Sequence, residues 1–244
     1  MKLQPKGRII FALDVPATGE AVRYVDLLKD HVGVFKVGLE LFVAEGPRVV
    51  AAVRERTGGR GVFLDMKFHD IPATVRGAMR SASTLGAEFV TVHCDEGSGL
   101  LRAVVEGNTG GTKVLGVTVL TSLSAIDMHE TGIDASRYKT PSDLVLKRAE
   151  LAKVAGCAGV VCSGQEAASV RKEFGPDFII VTPGIRGPGD AVGDQKRVAT
   201  PYDAVARGAD YIVVGRPIRE APDPVGAASV IAGEIERAVK DRGY

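Results

Sequence analysis

Residues 63–74 read FLDMKFHDIPAT, an apolar run that turns into charged residues and then reaches a proline able to open a helix. On a β-strand alternate side chains share a face, so Asp65 and Lys67 point the same way, with Asp70 following within a few residues. Unpaired ions are costly to bury. The spacing therefore predicts a preorganised cluster of paired charges at the end of a buried strand.

Short apolar runs of this kind recur along the chain and alternate with helical patterns. Their length and β-branched content are typical of buried parallel strands. The eight runs cover residues 9–15, 34–41, 61–68, 89–94, 113–120, 159–163, 178–182 and 211–214. Helical patterns cover 18–31, 73–85, 140–155 and 225–241, with Pro72 placed to open the second.

Eight strand-like runs that alternate with helices fit either an open doubly wound sheet or a closed (β/α)8 barrel. The strand number and the length of 244 residues favour the barrel, since such barrels commonly have about 250 residues. No shift in composition and no long linker divides the chain. We therefore predict an α/β protein in which residues 1–244 form one domain, a single (β/α)8 TIM barrel.

Composition excludes some classes of protein. A net charge of +1 with 5% aromatic residues argues against a nucleic-acid-binding surface, and no apolar run approaches the roughly 20 residues of a membrane span. We expect no signal peptide, because the N-terminus leads straight into a strand. None of the three cysteines lies in a CxxC motif, which favours reduced thiols in a cytoplasmic protein over a cysteine nucleophile or metal site.

Polar residues gather at the predicted strand ends, where barrels of this kind carry their active sites. Such a concentration at one end of most strands is hard to explain as solvated surface. The residues concerned are Asp14, Lys36, Asp65, Lys67, His93, Thr121, Ser122, Pro183, Gly184, Arg186, Gly215 and Arg216. The loops after strands seven and eight, with the following helix N-terminus, form the usual phosphate site. Arg186, Gly215 and Arg216 fit that site.

Several of these residues also have a structural interpretation. Asp14 could cap the next helix, Lys36 could extend to the rim, and His93 could be a hydrogen-bonded core histidine. We expect His69 to be structural or to support the site from outside, because the turn into the helix begins there.

The sequence contains neither a P-loop motif nor the HExxH or Cys/His spacing of a zinc site. A divalent cation held by Asp14, Asp65 and Asp70 is an open alternative. Lys36 and Lys67 would share that cavity, however, and would supply the positive charge that a metal otherwise provides. We therefore predict a site without metal.

The chain resembles the orotidine 5′-phosphate decarboxylase family over essentially its whole length. The most specific element is D-x-K-x-x-D-I-P-x-T, which runs from Asp65 to Thr74. A bare D-x-K is weaker, since it is shared with 3-keto-gulonate-phosphate decarboxylases and hexulose-phosphate synthases. The other matching segments are ALD at 12–14, KVG at 36–38, LTS at 120–122, TPGIR at 182–186, DQ at 194–195 and VGRPI at 214–218.

The resemblance implies decarboxylation of orotidine 5′-phosphate to UMP and CO2 without a cofactor, the last step of pyrimidine nucleotide synthesis. Lys67 is implied as the proton donor to C6, and Asp65 as the carboxylate placed against the leaving group. Lys36 and Asp70 complete an alternating array. Asp70 and Thr74 are expected from the partner subunit of a homodimer whose sites are shared across the interface.

The resemblance also assigns the rest of the substrate site. Asp14 is implied as the ribose contact, either Thr121 or Ser122 as the contact to the base, and Pro183 as a further substrate-binding residue. The implied phosphate contacts are Arg186, Gln195, Gly215 and Arg216, with Gln195 on a closing loop.

Two alternatives are carried forward. One is another sugar-phosphate enzyme of the same barrel type, a decarboxylase or an epimerase, which would need an acid/base pair or Mg2+ to stabilise an enediolate. The other is a non-catalytic nucleotide-binding barrel. The presence of both Lys67 and Asp65 argues against the second alternative, because a binding-only site has no use for a charge that opposes the ligand carboxylate.

Overall fold

Eight parallel strands form the centre of the computed structural model, which describes residues 3–59, 61–187 and 197–242. Each strand pairs with the next, and the eighth pairs with the first, so the sheet closes into a barrel. The strands are β1 Ile9–Ala12, β2 Val34–Val37, β3 Val62–Phe68, β4 Phe89–His93, β5 Lys113–Val117, β6 Gly159–Val161, β7 Ile179–Thr182 and β8 Tyr211–Val214. The predicted TIM barrel is confirmed.

Helices connect the strands and cover the outside of the barrel. They are α1 Thr18–Leu28, α2 Leu39–Glu45, α3 Pro47–Arg56, α4 Pro72–Thr84, α5 Ser98–Gly107, α6 Ala125–Glu130, α7 Pro141–Val154, α8 Ala167–Phe174, α9 Pro201–Ala206, α10 Arg216–Arg219 and α11 Pro224–Asp241. A short 3-10 turn, Pro5–Arg8, precedes β1. Pro72 opens α4 as predicted, and its missing N–H costs nothing at that position. Among the described residues, no helix has the length and apolar character to cross a bilayer.

The predicted strand ends were wrong in three places, although the starts agree within one residue. The runs 9–15, 34–41 and 113–120 extend three or four residues beyond β1, β2 and β5, and residues 39–41 begin α2. Leu13, Val15 and Leu41 are nonetheless buried. The apolar pattern indicates burial rather than strand pairing. Residues that follow a strand can still be buried, because the surrounding helices cover them.

The core has two layers. Apolar side chains fill the lower part of the barrel interior, toward the amino ends of the strands. They are Ile10, Val34, Phe63, Phe89, Leu115, Val181 and Tyr211. A larger cluster, which includes Val25, Val53 and Ile235, packs between the barrel and its helices. Since side chains alternate along a strand, the residue two positions after each interior residue faces inward one layer higher. That rule places Lys36, Asp65 and Thr91 above Val34, Phe63 and Phe89.

The three cysteines, Cys94, Cys157 and Cys162, are buried and free. Burial raises the pKa of the Cys157 thiol to about 12 and also raises the pKa values of the Cys94 and Cys162 thiols. Thiols of this kind stay protonated at neutral pH and are poor nucleophiles. The alternative of a cysteine nucleophile therefore loses its support.

Candidate active site

Charged side chains of opposite sign alternate across the upper end of the barrel, where the carboxyl ends of the strands lie. Lys67 Nζ lies 2.9 Å from Asp65 Oδ2, and Lys36 Nζ lies 3.7 Å from the same oxygen. Lys36 Nζ also lies 3.0 Å from Asp14 Oδ1. The structure thus joins four residues predicted for the site into one chain of ion pairs, and pairing of this kind is what makes burial of charges tolerable.

The backbone of β3 is irregular where this array forms. Leu64 lies opposite Val90 and Phe68 lies opposite Val92, so three residues of β3 face a single residue of β4. Within this bulge, Lys67 has a φ of 49°, and it is the single non-glycine residue in the described part of the chain with a positive φ. A conformation of this kind costs about 1–3 kcal/mol and persists only where its surroundings hold it.

Asp65 is the most deeply buried acid of the array. Burial alone would raise the pKa of its carboxyl group, but the ammonium groups of Lys36 and Lys67 hold this pKa below its usual value. Hydrogen bonds from Lys67 and Thr91 act in the same direction. Asp65 is therefore a carboxylate at neutral pH.

Two cavities meet above the array. The smaller, about 190 Å³, is lined by Lys36, Phe63, Asp65, Lys67, Val117, Leu120, Thr121, Ser122, Val161, Pro183 and Val213. The larger, about 480 Å³, is lined by Ala12, Asp14, Lys36, Glu40, Pro183, Gly184, Arg186, Val213, Gly215, Arg216 and Arg219. They share Lys36, Pro183 and Val213. Together they form an elongated site with a mixed-charge array at one end and arginines at the other.

Arg219 lines the larger cavity and was missed by the sequence analysis. Its guanidinium donates to the backbone oxygen of Asp14 at 2.5 Å and pairs with Glu220 at 3.1 Å. Its position three residues after Arg216, one turn along α10, was the available signal. Gly38 also shapes this region, because a Cβ there would lie 2.8 Å from Lys36 Nζ.

A similar cavity, about 470 Å³, opens at the opposite end of the barrel beside Lys6, Lys29 and Arg56. It lies at the amino ends of the strands, whereas barrel enzymes carry their chemistry at the carboxyl ends. The geometry therefore favours the upper pair of cavities.

Comparison with known proteins identifies the family. Residues 7–231 match the model of the Orotidine 5'-phosphate decarboxylase / HUMPS family. The chain belongs to this family. It is 49% identical over 238 residues to the orotidine 5'-phosphate decarboxylase of Desulfosudis oleivorans, covering 97% of this chain and 96% of that protein. It is 50% identical over 233 residues to that of Anaeromyxobacter dehalogenans, with 96% and 100% covered.

A solved structure of the orotidine 5'-phosphate decarboxylase from Lactobacillus acidophilus has the same architecture. It superimposes with a TM-score of 0.80 at 36% identity, covering 93% of this chain and 98% of that one. The resemblance seen in the sequence to the orotidine 5′-phosphate decarboxylase family is thus confirmed over the barrel.

Two predicted site residues of this family member, Asp70 and Thr74, are not among the residues that line the two cavities. Asp70 and Thr74 are exposed, and Asp70 Oδ1 accepts a hydrogen bond from the Ile71 N–H at 2.6 Å. Within the described ranges, Asp70 forms no ion pair with Lys36 or Lys67 of its own chain. Gln195 lies outside the described residues.

The structural interpretations of two array residues can now be compared with the fold. Helix α1 begins at Thr18 with Ala17 as its N-cap, so Asp14 does not cap it. Lys36 does not extend to the rim: its side chain is 11% exposed and lies between Asp14 and Asp65. Its ammonium group therefore occupies the space between the two carboxylates where a cation would bind. The described residues contain no cluster of three or more metal-ligating side chains.

The two histidines near the array lie beside it. His93 is half-buried, and burial lowers its pKa below the usual value. His69 is exposed and lies 3.2 Å from Asp95 and 3.3 Å from Glu96. The two imidazole rings meet edge to face with centroids 5.3 Å apart. His69 thus pairs with surface acids beside His93, and its supporting role outside the reacting centre stays a prediction.

Proposed function

We propose that this barrel decarboxylates orotidine 5′-phosphate to UMP and CO2. The observation that carries the proposal is the chain of ion pairs Asp14–Lys36–Asp65–Lys67 at the junction of the two cavities. Family membership and relatives named orotidine 5'-phosphate decarboxylase support the reaction. The assignment of residues 1–244 to one catalytic domain is part of this proposal.

Lys67 and Asp65 carry the chemistry in this proposal. The bond between C6 of the pyrimidine and the carboxylate breaks, the electron pair stays on C6, and CO2 leaves. The Lys67 ammonium stabilises the developing negative charge and then transfers a proton to C6. Asp65 faces the substrate carboxylate, and their repulsion disappears as neutral CO2 forms. Lys67 regains its proton from solvent after product release.

Charge balance supports a mechanism without a cofactor. The carbanion at C6 lies in the ring plane and needs a fixed positive charge nearby, which Lys67 provides. In this proposal Lys36 and Lys67 balance Asp65 and Asp70 of a partner subunit, so these four groups can be enclosed as a paired network. Asp14, which pairs with Lys36 in the described chain, has a side chain that is 46% exposed and is assigned to the ribose instead.

The larger cavity is the proposed site for the ribose and the phosphate. Arg186, Gly215 and Arg216 lie on the loops after β7 and β8, where barrels bind phosphate. Binding energy from this remote group can orient the base over Lys67. Gln195 is proposed to contribute from the segment between Arg186 and Arg216.

The remaining substrate contacts in the proposal lie nearer the base. Asp14, in the larger cavity, is the proposed ribose contact. Thr121 and Ser122 both line the smaller cavity, and either hydroxyl is proposed to contact the pyrimidine. Pro183 borders both cavities and forms the wall between the two ends of the substrate.

A homodimer with shared active sites is part of the proposal. Asp70 and Thr74 are exposed on the rim next to the array. Ile71, which is 66% exposed, and Leu39, which is 52% exposed, follow neighbouring strands on the same rim. An isologous contact over this rim would bring Asp70 of each subunit to the array of the other and cover the apolar side chains. A cytoplasmic location completes the proposal.

The reaction can be tested by following the loss of orotidine 5′-phosphate absorbance with purified protein in excess chelator. Full turnover that is unchanged after dialysis against chelator is expected. A requirement for added Mg2+, or turnover of 3-keto-gulonate 6-phosphate in place of orotidine 5′-phosphate, would favour the sugar-phosphate alternative. Tight UMP binding without turnover would favour the non-catalytic barrel.

A further inference from the structure

We propose that Thr91 is a positioning residue for the decarboxylation, because its single hydroxyl holds both the Asp65 carboxylate and the backbone of Lys67. Thr91 lies in the middle of β4 and is fully buried. This inference rests on the proposed function, and it adds a residue of β4 to the residues that serve the reaction.

The hydrogen bonds of the Thr91 hydroxyl have one possible direction. Thr91 Oγ1 lies 2.9 Å from Asp65 Oδ1 and 2.8 Å from the backbone nitrogen of Lys67. The Lys67 N–H can only donate, and an ionised Asp65 can only accept. The hydroxyl therefore accepts from Lys67 and gives its one proton to Asp65. That proton is engaged within the protein and is not available to a substrate.

The bulge in β3 explains why such a bond is needed. Thr91 is the one residue of β4 that faces the three bulged residues of β3, between the pairs Leu64–Val90 and Phe68–Val92. A bulge of this kind breaks the regular ladder and leaves a buried N–H in need of an acceptor. The Thr91 side chain provides that acceptor at Lys67, the residue with the positive φ.

The two oxygens of Asp65 have separate partners as a result. Oδ1 is bound to Thr91 on the barrel wall, whereas Oδ2 faces Lys67 at 2.9 Å and Lys36 at 3.7 Å. Without the Thr91 hydroxyl, the carboxylate could rotate and the Lys67 backbone would lose its anchor. Both reacting groups would then shift relative to C6, while the arginine-lined cavity would keep its shape.

The test compares three variants by kcat, by KM for orotidine 5′-phosphate and by UMP affinity. Thr91→Val keeps the shape of the side chain and removes the hydroxyl, whereas Thr91→Ser keeps the hydroxyl. Thr112→Val is the matched control, because Thr112 is also buried and its hydroxyl donates to the Ala87 oxygen at 2.9 Å at the far end of the barrel. Each kcat is calculated per UMP-binding site, so that unfolded protein does not lower the measured value.

A displacement of the reacting groups by about 1 Å can lower the rate by about 100-fold. We therefore expect Thr91→Val to lower kcat by about that factor, with KM and UMP affinity within about threefold of wild type. Thr91→Ser and Thr112→Val should keep near-normal kcat. The acid limb of the kcat profile should move to higher pH in Thr91→Val, because the lost hydrogen bond raises the pKa of Asp65.

Three results would overturn the proposal: a kcat of Thr91→Val within threefold of wild type, a parallel loss of kcat and UMP affinity, or a folded Thr91→Ser as inactive as Thr91→Val. If Thr91→Val does not fold, Thr91→Cys replaces it, and its weak thiol donor predicts an intermediate kcat. Wild-type protein without decarboxylase activity would refute the proposed function itself, which separates the two failures.

Discussion

Lys67 and Asp65 form an ion pair of 2.9 Å across one intervening residue, at the point where β3 bulges and Lys67 takes a φ of 49°. Strain of this kind at a charged residue in a cavity indicates that the position is held for function, because surrounding contacts must offset its cost. The Thr91 hydroxyl and the paired charges of Lys36 and Asp65 provide those contacts. The reacting groups are therefore preorganised before substrate arrives.

Removal of the Lys67 ammonium should abolish turnover while nucleotide binding persists. We expect Lys67→Ala to lower kcat by about 1,000-fold or more, because both the electrostatic stabilisation at C6 and the proton are lost. UMP titration should still show a bound nucleotide. Lys113→Ala, which removes an ammonium paired with Glu88 away from the two cavities of the proposed active site, serves as the control. Near-normal turnover of Lys67→Ala would assign the proton to another residue.

Loss of Arg216 should instead weaken substrate capture. A charge-assisted contact to phosphate is worth about 1.5–3 kcal/mol, so kcat/KM of Arg216→Ala should fall by roughly 10–150-fold. Orotidine, the substrate without its phosphate, provides the control, because wild type and Arg216→Ala should convert it equally slowly. If the variant loses as much rate on orotidine as on the nucleotide, Arg216 acts on the barrel structure rather than on the phosphate.

The sequence was sufficient for the barrel and for the charged array. Eight apolar runs with strand-like length predicted the strands, and the period of two placed Asp65 and Lys67 on one face. Thr91 was missed because a lone threonine in an apolar strand has no distinguishing pattern. Its role depends on the bulge, and a pairing register between two strands cannot be derived from either strand alone. Arg219 was missed for a similar reason, since its contact with Asp14 spans most of the chain.

A buried ion pair near the site should contribute strongly to stability. Arg197 pairs with Glu166 at 2.6 Å, with side chains 8% and 2% exposed. Arg197 also donates to the backbone oxygens of Val119 and Leu120 at 3.0 Å. We expect Arg197→Met to lower the free energy of unfolding in urea by about 3–5 kcal/mol, because Glu166 is left as an unpaired buried charge.

An exposed ion pair provides the comparison for Arg197. Lys147 and Glu150 lie 2.8 Å apart with side chains 40% and 55% exposed, so Lys147→Met should cost at most about 0.5 kcal/mol. Both variants are measured at one protein concentration, because oligomerisation changes apparent stability. Equal costs for the two substitutions would show that burial does not govern the energy of these pairs.

The acid stability of the protein should reflect Asp65. Its pKa is below its usual value in the folded state. The ionised carboxylate therefore stabilises the folded protein, and this stabilisation is fully present above the unfolded pKa of about 3.9. That contribution is lost as the pH falls through the lower folded pKa. The difference in unfolding free energy between wild type and Asp65→Asn should therefore be constant from pH 7 to pH 5 and should shrink below about pH 4. A difference that grows on acidification would mean that the folded pKa is raised.

Mixed dimers should test whether Asp70 acts across a subunit interface. Lys67→Ala and Asp70→Ala are each expected to be inactive alone. In a mixed dimer, the Lys67→Ala subunit supplies an intact Asp70 to the site that has an intact Lys67, while the other site carries both defects. Random mixing makes about half of the dimers mixed, so roughly a quarter of all sites should recover activity.

The two variants should be denatured and refolded together, because subunits can exchange slowly, and mixed dimers should be verified with two different affinity tags. The control is each variant refolded with itself, which should stay inactive. Recovery near a quarter of the wild-type rate is expected if Asp70 completes the array of the neighbouring subunit. Verified mixed dimers without recovery would place Asp70 in its own subunit's site or outside the site, and the exposed position of its carboxylate would then need a different explanation.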